Sequence, residues 1–391
     1  MTAPASERIR VLVVDDSVAV RRLLTTILAS DPGIEVVGTA ADGRAALAAI
    51  EALKPDVMTL DVEMPVLDGL ATLKELRKRW RTLPVIMLST LTVRGAEATL
   101  DALTSGANDY VPKPSQMNDR DAALEGVRAL LLPKVKSLHA KRVAQSRAVA
   151  AAVAGGGGQA AAGAPGRAGP SSAPLPAVLP LVSRAPGSWN GVAELVAIGV
   201  STGGPNALAV LLPALPGDFR TPIVIAQHIP PVFSSVLASR LNASSKISVV
   251  EAKGGERLEP GCAYIAPGQQ HLVVNGPRTA PVLALSDAPP ENSCRPSVDV
   301  LFRSVALLYG RTALGVMLTG MGQDGVEGCR KIRQSGGQII VQDEATSVVW
   351  GMPGLVWKAG LADGAYPIES IAAELEARVI TGRRNRSVSG G

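Results

Sequence analysis

Residues 9–17 read IRVLVVDDS, an apolar run that stops at two acids and a serine. Six residues of that character form a buried strand, which puts Asp15 and Asp16 at its C-terminal end. Ser17 then stands where the next segment, VAVRRLLTTILAS, needs an N-cap. The same pattern repeats outward. IEVVGTA (34–40), PDVMTL (55–60), LPVIML (83–88) and NDYV (108–111) are predicted strands. GRAALAAIEAL, GLATLKELRKRW and VRGAEATLDALTSG between them carry apolar residues at helical spacing. Five such β-α units from about Ile9 to Leu131 predict a parallel sheet wrapped on both faces.

A second alternating region spans about Val192 to Ile380. LVAIGV, PIVIA, ISVV, CAYIAP, HLVVN, PVLALS, ALGVML and GQIIVQ are predicted strands. PNALAVLLPAL, VFSSVLASRL, PSVDVLFRSVALLY and VEGCRKIRQSG are predicted helices. This predicts another α/β domain, and the close succession of ISVV, CAYIAP, HLVVN and PVLALS predicts an antiparallel meander inserted in it. Between the two regions, residues 133–191 read as a linker, including AVAAAVAGGGGQAAAGAPGRAGPSSAPLP. Its composition offers too little apolar surface to offset chain entropy, although its Ala-rich start suits an extension of the preceding helix.

The net charge of +5 on 391 residues is unevenly placed. Residues 126–193 hold eight Lys/Arg and no acid, and residues 379–391 hold three more. The rest of the chain is therefore net acidic. With no basic folded face or reading helix, nucleic-acid binding is not expected. No apolar run of membrane-spanning length is present, and charges near the N-terminus argue against a signal peptide. Cys262, Cys294 and Cys329 form no CxxC pair, which fits reduced thiols and a cytoplasmic location.

Two sets of residues carry chemistry. In the first region Asp15 and Asp16 follow the first strand and Asp61 the third. Parallel strands bring these carboxylates to one sheet edge, where their repulsion is relieved by a hard divalent cation such as Mg²⁺. Ser89 ends the fourth strand and Lys113 follows the fifth, supplying a hydroxyl and an ammonium to the same edge. Each acid alone would be read as a helix cap or a solvated charge. The set predicts a phosphoryl-accepting Asp61.

In the second region Ser201 lies in LVAIGVSTGGPNALAVLLPAL, on a sharp strand-to-helix turn with Pro205 opening the helix. A serine there is more often a cap than a nucleophile, and a nucleophile needs a base. His228, after PIVIAQ, is favoured for its strand C-terminal position; His271, at the start of HLVVN, is expected on the other side of the fold or at a rim. Asp324, in LTGMGQDGVEG, is either a helix N-cap or the acid that orients the histidine. The glycines around it expose backbone N–H groups to an oxyanion.

The strings VLVVDDS, TLDVEMPVLDGL, PVIMLST and DYVPKP resemble the receiver domain of response regulators. That resemblance implies a flavodoxin-like five-stranded fold over residues 8–132. It makes Asp61 the phosphoacceptor, with Mg²⁺ held by Asp16, Asp61 and the Glu63 carbonyl and with Asp15 close by. Ser89 and Lys113 would contact the phosphoryl group, and Tyr110 takes the aromatic switch position. A plain nucleotide binder of this fold would show a Gly-rich loop after the first strand, which is missing.

GVSTGG, AQHIPP, LTGMGQDG, IAPGQQH and CRPSVDVLF resemble the catalytic domain of the chemotaxis protein-glutamate methylesterases. This implies a doubly wound α/β esterase domain over residues 192–381, followed by a basic tail at 382–391. The resemblance makes Ser201 the nucleophile, His228 the base and Asp324 the orienting acid. Met321 would lend an oxyanion N–H, and Thr202 would hydrogen-bond within the site. Arg295 is a weaker carry-over toward the substrate cleft, and Cys294 receives no role.

The implied activity is hydrolysis of glutamate methyl esters on chemoreceptors, with deamidation of receptor glutamines, under control of a chemotaxis histidine kinase. Mg²⁺ serves phosphorylation only, and ester hydrolysis needs no cofactor. The alternatives are a receiver-controlled hydrolase of another ester and a catalytically silent interaction module.

Overall fold

The computed structural model describes residues 8–113, 120–155 and 192–388. The N-terminal unit alternates β1 (Ile9–Val14), α1 (Val18–Ala29), β2 (Ile34–Ala40), α2 (Gly43–Leu53), β3 (Val57–Asp61), α3 (Gly69–Arg79), β4 (Val85–Ser89), α4 (Val93–Thr104), β5 (Asp109–Pro112) and α5 (Arg120–Gly155). Side-chain caps start the helices. Ser17 accepts from Val20 N, Asp42 from Ala45 N, Asp68 from Ala71 N and Thr92 from Gly95 N. The sheet is parallel with order β2-β1-β3-β4-β5. The chain reverses direction across the sheet between β1 and β3, so the ends carrying Asp15 and Asp61 are neighbours.

The C-terminal unit comprises β6 (Leu195–Val200), α6 (Gly204–Ala214), β7 (Ile223–Gln227), α7 (Pro231–Ser244), β8 (Ser248–Glu251), β9 (Cys262–Ile265), β10 (His271–Asn275) and β11 (Val282–Ser286). It continues through α8 (Val298–Tyr309), β12 (Ala313–Met317), α9 (Val326–Gln334), β13 (Gln338–Gln342), α10 (Met352–Lys358), β14 (Gly364–Tyr366) and α11 (Ile368–Val388). Seven parallel strands run in the order β14-β13-β12-β6-β7-β9-β8. Here the switch point lies between β6 and β12, and the C-terminal ends of β12, β6 and β7 form one lip.

Two expectations change. The meander shrinks to a hairpin, β10 with β11, while β8 and β9 join the main sheet in parallel. The residues between β8 and β9 are long enough to cross back, and β9 buries all four of its residues between the two layers of the domain. The segment read as linker from residue 133 begins as helix, since α5 runs unbroken through Pro133 to Gly155. Leu131, Val135 and Leu138 recur at helical spacing and are buried on the receiver-side core, which holds this stretch helical. Residues 156–191 lie outside the described residues. Likewise α11 continues to Val388, into the segment expected as tail.

The units share a core. One apolar cluster joins Leu100, Leu103 and Tyr110 to Leu208, Phe233 and Leu237. Tyr110 stacks flat on Phe233, with centroids 4.8 Å apart and planes 5° from parallel. Around this contact, Arg240 pairs with Asp101 and Asn206 donates to Leu103 O at 3.1 Å. No helix among the described residues is long and apolar enough to cross a membrane.

Gly69 shows how tightly the β3–α3 turn is built. A methyl group there would stand 2.0 Å from the Asp61 carbonyl oxygen. Gly69→Ala should therefore displace this turn and lower stability by about 1–3 kcal/mol, measured by denaturant unfolding. Unchanged stability would show that the turn is free to yield.

Candidate active site and phosphorylation site

Asp15 and Asp61 are buried side by side at the end of the N-terminal sheet. Ser17 N donates to Asp15 Oδ1 at 2.9 Å, and Glu63 N to Asp61 Oδ1 at 3.3 Å. Lys113 follows β5, placed there by its N–H bond to Ser89 O at 2.7 Å. Its ammonium lies 2.8 Å from both Asp15 Oδ2 and Asp61 Oδ2. Those two oxygens meet the ammonium at ion-pair distance but outside hydrogen-bond geometry, so each keeps lone pairs unused. With the exposed Asp16, the three carboxylates bring oxygens within 4.8 Å of one another. That is a hard-oxygen donor set, and it fits Mg²⁺.

Burial pushes the Asp61 carboxyl up to about 6, against the downward pull of Lys113 and with a further upward push from Asp15. The remaining expected residues sit differently. Ser89 Oγ is turned into α4, accepting from Thr99 Oγ1 at 2.7 Å and donating toward Gly95 O at 3.1 Å. Tyr110 is committed to the stack on Phe233. Thr99, the partner that holds Ser89 inward, has no sequence signal beyond its place on α4.

At the C-terminal lip, Ser201 follows β6 directly. Its N–H donates to Thr319 O at 3.0 Å, and its carbonyl accepts from Gly204 N at 2.8 Å and Gln227 Nε2 at 3.1 Å. Gly203 adopts φ +76°, which allows the sharp turn into α6. His228 is the lateral neighbour, its N–H donating to Val200 O at 3.1 Å. Thr202 is buried and contributes its carbonyl to Thr319 Oγ1 at 2.9 Å.

Asp324 is not a cap of its own helix. It sits instead on the N-terminus of α8, accepting from Val298 N at 2.7 Å, Asp299 N at 3.1 Å and Ser297 Oγ at 2.7 Å. Asn292 Nδ2 adds a bond at 3.2 Å. Its other partner is His228 Nε2, 2.8 Å from Asp324 Oδ2. Burial alone would raise the Asp324 carboxyl; the histidine, the Val298 N–H and the Ser297 hydroxyl outweigh burial and hold it below its ordinary value.

For His228, burial works toward a lower pKa. Asp324 and the adjacent Cys294 sulfur overcome it and push the ring up to about 9. Cys294 Sγ lies 3.6 Å from His228 Nδ1. Since Nε2 is taken by Asp324, Nδ1 is the ring nitrogen left to exchange a proton. No hydrogen bond joins Ser201 Oγ to the ring among the described residues.

His271 is fully buried, neither at a rim nor across the fold. Its Nδ1 accepts from Ser297 N at 3.1 Å and its Nε2 lies 3.1 Å from Pro289 O. Both nitrogens are used, so it braces the turn that presents Ser297 to Asp324. Arg295 donates to the carbonyls of Asp287 and Ala288 at 3.0 and 3.2 Å, which makes it a loop brace. Met321 Sδ touches Ser137 Oγ of α5 at 3.5 Å, and among the described residues nothing accepts the Met321 N–H.

Residues 196–375 match the family model of the CheB methylesterase, and residues 11–125 that of the response regulator receiver domain. A protein-glutamate methylesterase/protein-glutamine glutaminase of Trichodesmium erythraeum (strain IMS101) is 48% identical over 372 residues, 95% of this chain and 99% of that one. One from Nocardioides sp. (strain ATCC BAA-499 / JS614) is 45% identical over 95% of both chains. The chain belongs to the CheB methylesterase family. The crystal structure of the Thermotoga maritima CheB methylesterase catalytic domain is 41% identical, covering 47% of this chain and 97% of that chain, with a TM-score of 0.46. As in the family, a receiver domain, which works with a divalent metal in phosphorylation, is joined to a hydrolase domain.

Two outcomes follow from the charges. Asp61, raised to about 6 from 3.8, weakens the fold as pH rises through that interval. Asp61→Asn should thus gain on the order of 2–3 kcal/mol at pH 7 without Mg²⁺ and nothing below pH about 4, by denaturant unfolding at both pH values. Equal gains at both would refute the strained carboxylate. A base at His228 would have to be neutral to take a proton, so kcat/KM should rise with pH along a limb approaching 9. Cys294→Ala removes one upward push and should move that limb to lower pH; a limb that stays put would refute the sulfur's part.

Proposed function

We propose that the chain is a phosphorylation-activated protein-glutamate methylesterase of the cytoplasm. It hydrolyses glutamate methyl esters on chemoreceptors, releasing methanol, and deamidates receptor glutamines. The pairing of His228 with an Asp324 seated on the α8 N-terminus, next to Ser201 on the adjacent strand end, carries this reading.

Ser201 Oγ attacks the ester carbonyl while His228 Nδ1 takes its proton. The imidazolium that forms keeps its Nε2–H on the Asp324 carboxylate. The tetrahedral oxyanion is received by the Thr202 and Gly203 N–H groups and by the Met321 N–H, each such donor lowering the barrier by about 3–4 kcal/mol. Methoxide leaves with the proton from His228, giving methanol and an acyl-serine. Water then adds to the acyl carbon, losing a proton to His228, and Ser201 departs with that proton to leave glutamate. With a glutamine the leaving group is ammonia. Tethering to the receptor offsets weak binding of the isolated side chain.

The receiver supplies the control. Asp15, Asp16, Asp61 and the Glu63 carbonyl would hold Mg²⁺, which when bound neutralises charge on the arriving phosphoryl group. The phosphodonor is a chemotaxis histidine kinase. Lys113, already beside Asp61, pairs with the new charge, and Ser89 turns toward it from Thr99. That frees α4 and the Tyr110 ring, the elements that hold the esterase domain. Meanwhile Ser137 and Lys141 of α5 rest on Met321 and the Ser347 carbonyl, so receiver docking restricts the lip beside Ser201.

The test is methanol release from methylated receptor membranes. Ser201→Ala should lower it by at least a thousandfold. Asp61→Asn should keep basal release and lose the acceleration by a small phosphodonor with Mg²⁺. A Ser201→Ala protein with normal release, or an Asp61→Asn protein that still accelerates, would overturn the respective half.

A further inference from the structure

We propose that Cys294 Sγ and His228 Nδ1 form a two-point site for a soft divalent cation, with Zn²⁺ the best fit, and that its occupation inhibits hydrolysis. The inhibitory half rests on His228 as the base; the site itself rests on geometry alone.

The two donor atoms are 3.6 Å apart. Zinc bonds thiolate sulfur at about 2.3 Å and imidazole nitrogen at about 2.0–2.1 Å, which at a tetrahedral angle sets the donors about 3.6 Å from each other. No closure of the site is needed. The opposite ring nitrogen already meets Asp324 Oδ2 at 2.8 Å, the outer-shell carboxylate that fixes a metal-binding imidazole and raises its basicity. Asp324 is saturated by Ser297, Val298, Asp299 and Asn292, so it stays in that outer role and water completes the coordination.

The loop also holds the sulfur in place. Glu291 and Cys294 exchange backbone bonds of 3.1 and 2.9 Å across a two-residue turn. The turn residues, Asn292 and Ser293, lie at φ +52° and +61°, a conformation that costs each of them energy. Asn292 ties the turn to Asp299 at 2.8 Å as well as to Asp324. Cys294 is half-buried and reachable, whereas Cys262 and Cys329 are buried. Thiolate and imidazole select a soft or borderline cation, so Mg²⁺ stays with the carboxylates of the receiver.

Binding releases the thiol proton as the sulfur–zinc bond forms and, where the ring is protonated, the Nδ1 proton as the nitrogen–zinc bond forms, with no change of oxidation state. The ring nitrogen gives its lone pair to the cation and can no longer accept the Ser201 proton.

The full-length protein, reduced and in excess Mg²⁺, is titrated with Zn²⁺ against a metallochromic indicator, and separately with Co²⁺. The expected result is one equivalent of zinc bound, a thiolate-to-cobalt charge-transfer absorption, and hydrolysis falling at least tenfold as the site fills. Cys294→Ser should weaken zinc uptake at least tenfold, abolish the absorption and raise the inhibition midpoint by the same factor. Cys262→Ser should change none of these. Uptake and absorption that persist in Cys294→Ser would overturn the site. Cys294-dependent uptake with undiminished hydrolysis would uphold the site and overturn the inhibition, and with it the role of Nδ1 as base.

Discussion

The buried carboxylate of Asp324 is the constraint on which the C-terminal lip depends. A charge so far from water is tolerable only when every lone pair is answered. Here the answer comes from two directions: the first N–H groups of α8 and the Ser297 hydroxyl on one side, the His228 ring on the other. Helix α8 packs across β6, β10 and α9, so the carboxylate is referenced to the whole domain. Removing either side would leave an unpaired buried charge, a loss of about 3–5 kcal/mol in such settings. The orientation of the histidine is therefore a property of the core as much as of the site.

That arrangement explains the accessory residues. His271 holds Ser297, which holds Asp324, which holds His228. Asn292 closes the chain by bonding both Asp299 and Asp324. Along this path the Asp324 carboxylate carries the most bonds, three on Oδ1 and two on Oδ2. The His228 ring is thus positioned by a relay of hydrogen bonds anchored in helix and sheet. Of the exposed lip residues Gly322 and Gln323, the latter joins it by donating Nε2–H to Asn292 Oδ1 at 3.4 Å.

The other structural theme is the union of the two units through a common apolar cluster. Tyr110 lies on the edge of the receiver sheet, yet its ring belongs to the core that Phe233 organises. Burial pushes its phenol well above the ordinary range, and Asp109 adds to this, so the ring remains neutral in its stack. Ser89 is one strand away, bonded to α4, which packs on α6 and α7. A change at the phosphoryl pocket therefore has a short mechanical route to the interface.

Much of this was legible in the chain. Alternation of apolar strands with amphipathic helices determined two α/β sheets, because the continuous apolar runs are too short for buried helices while the segments between them carry a 3.6-residue period. Placement of Asp15, Asp61, Ser201, His228 and Asp324 at strand ends determined that they would gather at two lips, since parallel strands share a C-terminal edge. The tertiary structure alone decided the rest. The inserted strands β8 and β9 took parallel partners, and the helical extension that the linker's start allowed is held by Val135 and Leu138 burying in a core. Asp324 became the ligand of another helix, His271 became a buried brace and not a residue of the rim or the far side, and Cys294 came to face His228. Those contacts join residues 26 to 96 positions apart, and local sequence carries periodicity and capping but not the partner that a distant loop will present.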